Sequence, residues 1–438
     1  MDERRYVFDA LYGPVYYPEY LWKVSLCPEF QRLREVRLCN INSLCLTGGA
    51  NINRYEHSLG AAYLALQCIQ AWPSQLSDAE ARRIVLAALL HDIGSTAFGH
   101  SVQYVIDREG FEHQSFLDIV HGPNTSKSHY TYQFALTEPI YFGMPKRLSA
   151  MLDSADLEAI NDMVEGKGPF GPLISGTMDL DNIDNVYRLA YHFGLVKPGE
   201  VPLELARHLR VSDGALLLAD DADALVTDWY ETRRRLYEFL LLNPDEFSAK
   251  CMLQEALELA QAQKKELFRW HDVDFELLTK LAEASDETRG VISRLVIGDL
   301  YGCIAIYVSA KTSLAGNLEN PVYRGQLEKA IADRLRLSGT RSFKNALVAV
   351  HVIKDINKTQ RQIVIQTCSG RSITVGRPTR RLLIGVFLKN VGFSMVQLKP
   401  STVAAAGVDQ LVAEVLKTEL GDPDLAQLEL YAEASQQR

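Results

Sequence analysis

The chain has 438 residues, 47% of them hydrophobic and 23% charged, with a formal net charge of −9. That length exceeds one ordinary core and implies two units, and the composition is that of a folded globular protein. An acidic balance argues against a nucleic-acid scaffold, which needs a basic field; it leaves room for small anionic substrates bound in a local basic pocket.

The N-terminal MDERRYVFDALYG is charged and lacks the apolar core of a secretory signal, and no apolar run reaches the roughly 20 residues of a membrane span. Cys27, Cys39, Cys45, Cys68, Cys251, Cys303 and Cys368 are odd in number, scattered and without a CxxC pair. This is the usage of a reducing, cytoplasmic setting, and it disfavours cysteine-ligated zinc. Basic clusters occur at Arg32, Arg34 and Arg37, at Arg233, Arg234 and Arg235, and at Arg377, Arg380 and Arg381.

In chain order, the first 300 residues read mainly as helix. Over 78–93, Ser77 and Glu80 form a capping-box pattern, Ile84, Val85, Ala88, Leu89 and Ile93 make an apolar stripe, and Gly94 supplies a stop. A second helix runs through Ile183, Val186, Tyr187, Ala190 and Phe193 to Gly194, and 225–268 gives long helices broken at Asn243-Pro244. Beyond about residue 310, ALVAVHVIKDI, RQIVIQTCSG and RSITVGR are short and β-branched, which predicts strands, with helices over 326–337 and 407–419. The expected architecture is mainly α: a helical domain over 1–310, then a smaller α+β lobe over 311–438.

Three segments carry chemistry. NRYEHSLGAAYLA places His57 at the opening of an apolar helix. LAALLHDIGSTAFGH places His91-Asp92 at a helix C-terminus, and MDLDNIDNVYRLAYHFG places Asp181 at a helix start. Two imidazoles and two carboxylates suit one divalent ion (Mn, Fe, Co, Ni, Zn or Mg) better than calcium, and leave positions open for water and a phosphate oxygen. Each residue alone has an ordinary role, as a core histidine or a helix cap; the ordered conjunction is what points to a site.

The H…HD…D order resembles the HD superfamily of metal phosphohydrolases. The flanking PEFQRLREVR, NRYEHSLGAAYLA, LLHDIGSTAFGH and DLDNIDNVYRLAYHFGL are similar, in register over roughly residues 10–300, to the HD-domain deoxynucleoside triphosphate triphosphohydrolases. The resemblance implies that His57, His91, Asp92 and Asp181 hold the metal, that Arg54 and Arg233 contact phosphate, that His100 touches the substrate phosphates and that His113 acts as general acid. It implies hydrolysis of a nucleoside triphosphate to nucleoside and tripolyphosphate. Action on another phosphate ester, and a non-catalytic nucleotide sensor, stand as the alternatives. It also implies a homo-oligomer with an allosteric nucleotide, for which Lys354, Lys358 and Arg361 are the candidate contacts. Departures are as specific: Ser95 replaces a histidine, Gln103 a supporting carboxylate, and Asn182 and Asn185 a lysine and a tyrosine. Leu38 and Leu189 stand where the family reads the sugar 3′-hydroxyl. Leucine cannot hydrogen-bond a hydroxyl, so the usual sugar selection is missing.

Overall fold

In a computed structural model the chain is described over residues 5–39, 51–72, 76–99, 102, 140–263, 269, 271–337, 347–356, 359, 362–377, 380–389 and 407–428. A hairpin of β1 (Arg5–Asp9) and β2 (Gly13–Tyr17) precedes the short helices α1 (Glu19–Ser25) and α2 (Pro28–Gln31). The helical core follows: α3 (Arg54–Gln70), α4 (Asp78–Leu90), α5 (Leu148–Met151), α6 (Ser154–Val164), α7 (Leu180–His192) and α8 (Val201–His208). A second hairpin, β3 (Leu209–Ser212) and β4 (Ala215–Leu218), leads into α9 (Asp223–Leu242), α10 (Pro244–Gln263), α11 (Asp274–Ala284) and α12 (Asp286–Ile297). The lobe contains β5 (Gly302–Ser309), α13 (Leu314–Glu319), α14 (Pro321–Leu337), β6 (Val348–Ile356), β7 (Ile363–Thr367), β8 (Ser372–Val375), β9 (Arg380–Leu388), α15 (Val408–Glu419) and β10 (Ala426–Gln427). The mainly helical core with a smaller α+β lobe is the architecture the periodicities predict. No helix among the described residues is long and apolar enough to cross a membrane.

Local chemistry fixes the helices that matter. Asn53 caps α3 by accepting the Glu56 N–H at 2.9 Å. The Ser77/Glu80 capping box of α4 is present, with the Glu80 carboxylate accepting the Ser77 N–H at 2.9 Å. Asp179 caps α7 by accepting the Asn182 N–H at 2.7 Å. α3 is buried almost all round, because α4, α7 and α8 pack against it from different sides. That is why its sequence is apolar and small-residue rich rather than striped.

The lobe is built on an antiparallel sheet in the order β10-β5-β9-β6. Its central strand β9 is covered on both faces. Leu382, Ile384, Val386 and Leu388 join the lobe's own core beneath α13, α14 and α15, while Leu383 and Phe387 join the main core against α10. Period-2 alternation thus sends one strand into two cores. The sheet draws on β5 as well as on strands beyond residue 310. The three segments read together as lobe strands also part company. β6 enters this sheet, whereas the β7–β8 hairpin leaves it and pairs in parallel with β4, Leu218 opposite Thr367. Ile363, Ile365 and Ile373 thereby reach the main core.

Where α10 crosses β9, Gly385 removes a side chain: a Cβ there would lie 2.1 Å from a ring carbon of Phe247, itself buried between helix and sheet. Gly385→Ala should therefore cost about 1–3 kcal/mol by overpacking. The check is the urea midpoint, and a shift within the scatter of surface substitutions would show that Phe247 can move aside.

Candidate metal centre

α3, α4 and α7 converge on one point. His57 lies in the first turn of α3, fully buried; His91 is the C-cap of α4; Asp181 is in the first turn of α7. His57 Nε2 is 3.2 Å from His91 Nε2 and 3.0 Å from Asp181 Oδ1, and His91 Nε2 is 3.6 Å from the same oxygen. The other ring nitrogens are taken. His57 Nδ1 donates to Asp184 Oδ2 at 2.8 Å, and His91 Nδ1 donates to the Ala88 carbonyl at 2.8 Å. Both acceptors lack a proton to give, so both Nδ1 atoms carry hydrogen and both Nε2 atoms are left to face the shared space.

These distances can be tested against an ion. Ligands about 2.1 Å from a metal stand about 3.0 Å apart at adjacent octahedral positions and about 3.4 Å apart at tetrahedral ones. The observed separations are of that size, and His57, His91 and Asp181 form a group able to hold one divalent ion. Asp92 stands slightly back: its Oδ2 is 3.9 Å from His57 Nε2 and 3.8 Å from His91 Nε2. Arg54 holds it there, with Nη1 2.7 Å from both carboxylate oxygens, and the Ser95 hydroxyl donates to Oδ1 at 2.9 Å.

The segment after His91-Asp92 is pinned from two sides. Arg32, fully buried, donates from Nη2 to the carbonyls of Ile93 and Ser95 at 2.8 and 2.7 Å. Asp274, at the start of α11, accepts the Phe98 N–H at 2.9 Å and the Arg37 N–H at 3.1 Å. Phe98 adopts φ 52°, a region that a bulky residue enters only when its surroundings hold it there.

The electrostatics are those of a cation site. Burial opposes charge on His57, yet hydrogen bonds to Asp181 and Asp184 outweigh it and raise its pKa to about 10. Asp92 is likewise buried, but Arg54, then His91 and His57, hold it ionised far below the usual carboxylate range. Asp181 is held down by the two histidines against its burial. Asp179 goes the other way, pushed up to about 7 by burial and then by neighbouring Asp181.

Of the residues singled out in the sequence, His57, His91, Asp92, Asp181 and Arg54 come together. Arg233 sits on α9 as a buried residue, 4% exposed, with its guanidinium 4.5 Å from the Tyr237 ring centre, rather than on a solvated face; Arg235 of the same run is exposed. Lys354 is paired with Glu319 at 2.7 Å. His100, Gln103, His113, Lys358 and Arg361 lie outside the described residues. Asp184, Arg188 and Asp274 were not singled out, and Arg32 only as part of a basic cluster. The Asp184–Arg188 pair carried a signal, an acid and a base four apart inside an apolar helix stripe. Leu38 and Leu189, assigned separately to the sugar position, meet in one apolar cluster with Ile52, Leu236 and Leu240.

A family model described as the HD domain matches residues 54–123, so the chain carries an HD domain. An uncharacterized protein of Methanocaldococcus jannaschii is 27% identical over 186 residues, 42% of this chain and 33% of that protein. An uncharacterized Bacillus subtilis protein, YwfO, is 25% identical over 245 residues, 55% of this chain and 52% of its own. Human deoxynucleoside triphosphate triphosphohydrolase SAMHD1 is 30% identical over 105 residues, 23% of this chain and 17% of that protein. The chain thus spans about a third to a half of the first two relatives' lengths. A Bacteroides thetaiotaomicron phosphohydrolase structure matches 89% of this chain and 100% of its own, with TM-score 0.63 and 18% identity. An Aquifex aeolicus hypothetical protein matches 90% and 100%, with TM-score 0.64 and 17% identity. These two likenesses establish the fold.

One divalent ion should bind per chain, and Asp181→Ala should lose most of it in elemental analysis after chelation and reloading. Because His57 holds a proton up to about pH 10, an ion reaching Nε2 must displace it at neutral pH. Affinity should therefore rise about tenfold per pH unit from pH 6 to 8. Competition with a chelator of known pH dependence measures this; an affinity flat with pH would remove His57 from the ligand set.

Proposed function

We propose that this chain is a metal-dependent HD phosphohydrolase that hydrolyses deoxynucleoside or nucleoside triphosphates to nucleoside and tripolyphosphate. The observation that carries the reading is the paired Nε2 atoms of His57 and His91 converging on Asp181, with a buried arginine alongside. Arg54 is 6% exposed, and among the described residues its Nε has no hydrogen-bond partner. A buried guanidinium N–H left open beside a cation site is suited to a phosphate oxygen. When bound, a divalent ion acidifies water and polarises a phosphoryl oxygen.

The chain's own residues supply the rest. His57, His91, Asp181 and Asp92 would hold the ion, with Arg54 neutralising charge on the phosphates. Arg233, carried on the same face of α9 as Leu236 and Leu240, would contact the phosphates by resemblance. His100 would contact phosphate and His113 would protonate the leaving oxygen, both by resemblance. The similarity to a deoxynucleoside triphosphate triphosphohydrolase over the HD segment and to a solved phosphohydrolase supports the reaction class. Assembly of several copies, with a nucleotide at the contacts, belongs to the same reading.

Incubation of the metal-loaded protein with a panel of nucleotides and identification of products tests the reading; release of tripolyphosphate supports it, and pyrophosphate or monophosphate release from every substrate refutes it. The Leu38–Leu189 cluster generates a sharper expectation: apolar side chains packed together offer no partner for a 3′-hydroxyl. A 2′,3′-dideoxynucleotide should compete with its 2′-deoxy counterpart within a few-fold, and strong discrimination would place the contact on other residues. His113→Ala should lower turnover by about 10²-fold or more with metal content unchanged, as loss of a general acid does. Near-normal turnover of that variant, fully loaded, would exclude His113 from proton transfer.

A further inference from the structure

His57 can present Nε2 to an ion only if its ring holds one orientation with Nδ1 protonated, and none of the ligands fixes that. The fixing group comes from the opposite side of the ring. Asp184 Oδ2 accepts the Nδ1 proton at 2.8 Å, and Asp184 is fully buried. Its carboxylate is itself held: Arg188 donates from Nε to Oδ2 at 2.8 Å and from Nη2 to Oδ1 at 3.0 Å, and the Tyr12 hydroxyl donates to Oδ1 at 2.8 Å. Arg188 is held in turn by Asp9 at 2.9 Å and Glu56 at 2.7 Å. Asp9 also accepts the N–H groups of Leu11 and Tyr12 at 2.8 and 3.0 Å, which sets the turn of the β1–β2 hairpin. Space for this chain of charges is made by Gly60 of α3, where a Cβ would lie 2.1 Å from both Arg188 Nη2 and Asp184 Oδ1.

We infer that Asp184 is the positioning residue for His57, and that the β1–β2 hairpin, through Tyr12 and Asp9, sets how tightly the centre holds its ion. The inference rests on the metal reading for its functional meaning. A carboxylate on the far nitrogen fixes the tautomer and raises the basicity of the ligating one, and loss of such a partner commonly weakens metal binding by about 10–100-fold. A purely structural Asp184–Arg188 pair, four residues apart on one helix, would need neither the imidazole on one oxygen nor the tyrosine on the other. Removing the Tyr12 hydroxyl leaves Oδ1 short of a donor and frees the carboxylate to turn away from the ring.

The test uses the full chain, stripped with a chelator and titrated with Co²⁺ alone, with affinity taken from chelator competition. Wild type should saturate at one ion. Asp184→Asn should saturate at the same level with affinity lower by about 10–100-fold, and Tyr12→Phe with affinity lower on the order of fivefold, one hydrogen bond's worth. In metal-free protein labelled with [¹⁵N]histidine, a downfield, slowly exchanging Nδ1–H of His57, assigned by its absence in His57→Gln, should vanish in Asp184→Asn. Wild-type affinity in both variants overturns the inference, and wild-type affinity in Tyr12→Phe alone removes the hairpin's part in it. If Asp184→Asn does not fold, Tyr12→Phe decides. If wild type binds no Co²⁺, the metal reading fails, and the Nδ1–H resonance still decides whether Asp184 holds His57.

Discussion

The structure is organised around a buried charge imbalance. Asp9, Asp92, Asp181 and Asp184 gather around His57 and its supports, three of them held ionised by cations or imidazoles, whereas the arginines among them are Arg54 and Arg188. With Glu56, which also pairs with Arg188, five carboxylates face two guanidiniums, and the cluster is net negative. Ionised groups out of water are expensive unless compensated. Hydrogen bonds to Asp181 and Asp184 keep the proton on His57 to about pH 10, and a divalent ion would offset the same excess of negative charge. The same imbalance that would make this cluster unstable as a core suits it to holding a cation.

Everything near the centre can be read as a way of holding that imbalance in place. α3 is small-residue rich because it must be approached by helices on several sides and, at Gly60, by the guanidinium of Arg188. The segment after His91-Asp92 is fixed by Arg32 through its carbonyls and by Asp274 through an N–H, so its backbone can hold a positive φ at Phe98. The N-terminal hairpin is far from the HD segment in sequence, yet Asp9 and Tyr12 close the charge network beneath His57. Its other face leaves Tyr6, Phe8 and Tyr16 exposed.

What could be read in the sequence follows from range. The α4 cap and stripe, the α9–α10 break at Asn243-Pro244 and the strands of the lobe are local signals, and the structure has them where the periodicity puts them. The candidate metal-binding residues were legible because coordination chemistry restricts residue types so strongly that an ordered set of four stands out; the structure groups His57, His91 and Asp181, with Asp92 slightly back. The partition of the lobe strands was not legible: β7 pairs in parallel with β4 across about 150 residues of chain, and alternation says which face of a strand is apolar, never which sheet it joins. Asp184 and Arg188 were hidden because a buried ion pair inside an apolar stripe looks, residue by residue, like one turn of solvated helix. Arg233 was picked out by the family resemblance; what the run of three arginines did not show is that Arg233 is buried while Arg235 is exposed.

Asp92 is the side chain at which the proposed ligand and substrate requirements would meet. Its carboxylate is the partner of Arg54 at 2.7 Å and lies 3.8–3.9 Å from the two Nε2 atoms, so the guanidinium and an ion draw on the same anion. A phosphate arriving beside the ion is a second anion for Arg54, and a fork of N–H donors binds phosphate in the geometry it uses for carboxylate. On the proposed reading, each phosphate contact made by Arg54 would weaken its grip on Asp92 and leave that carboxylate freer to approach the ion. On that reading, binding of an anionic substrate and completion of the ligand set would favour each other through a residue that serves both.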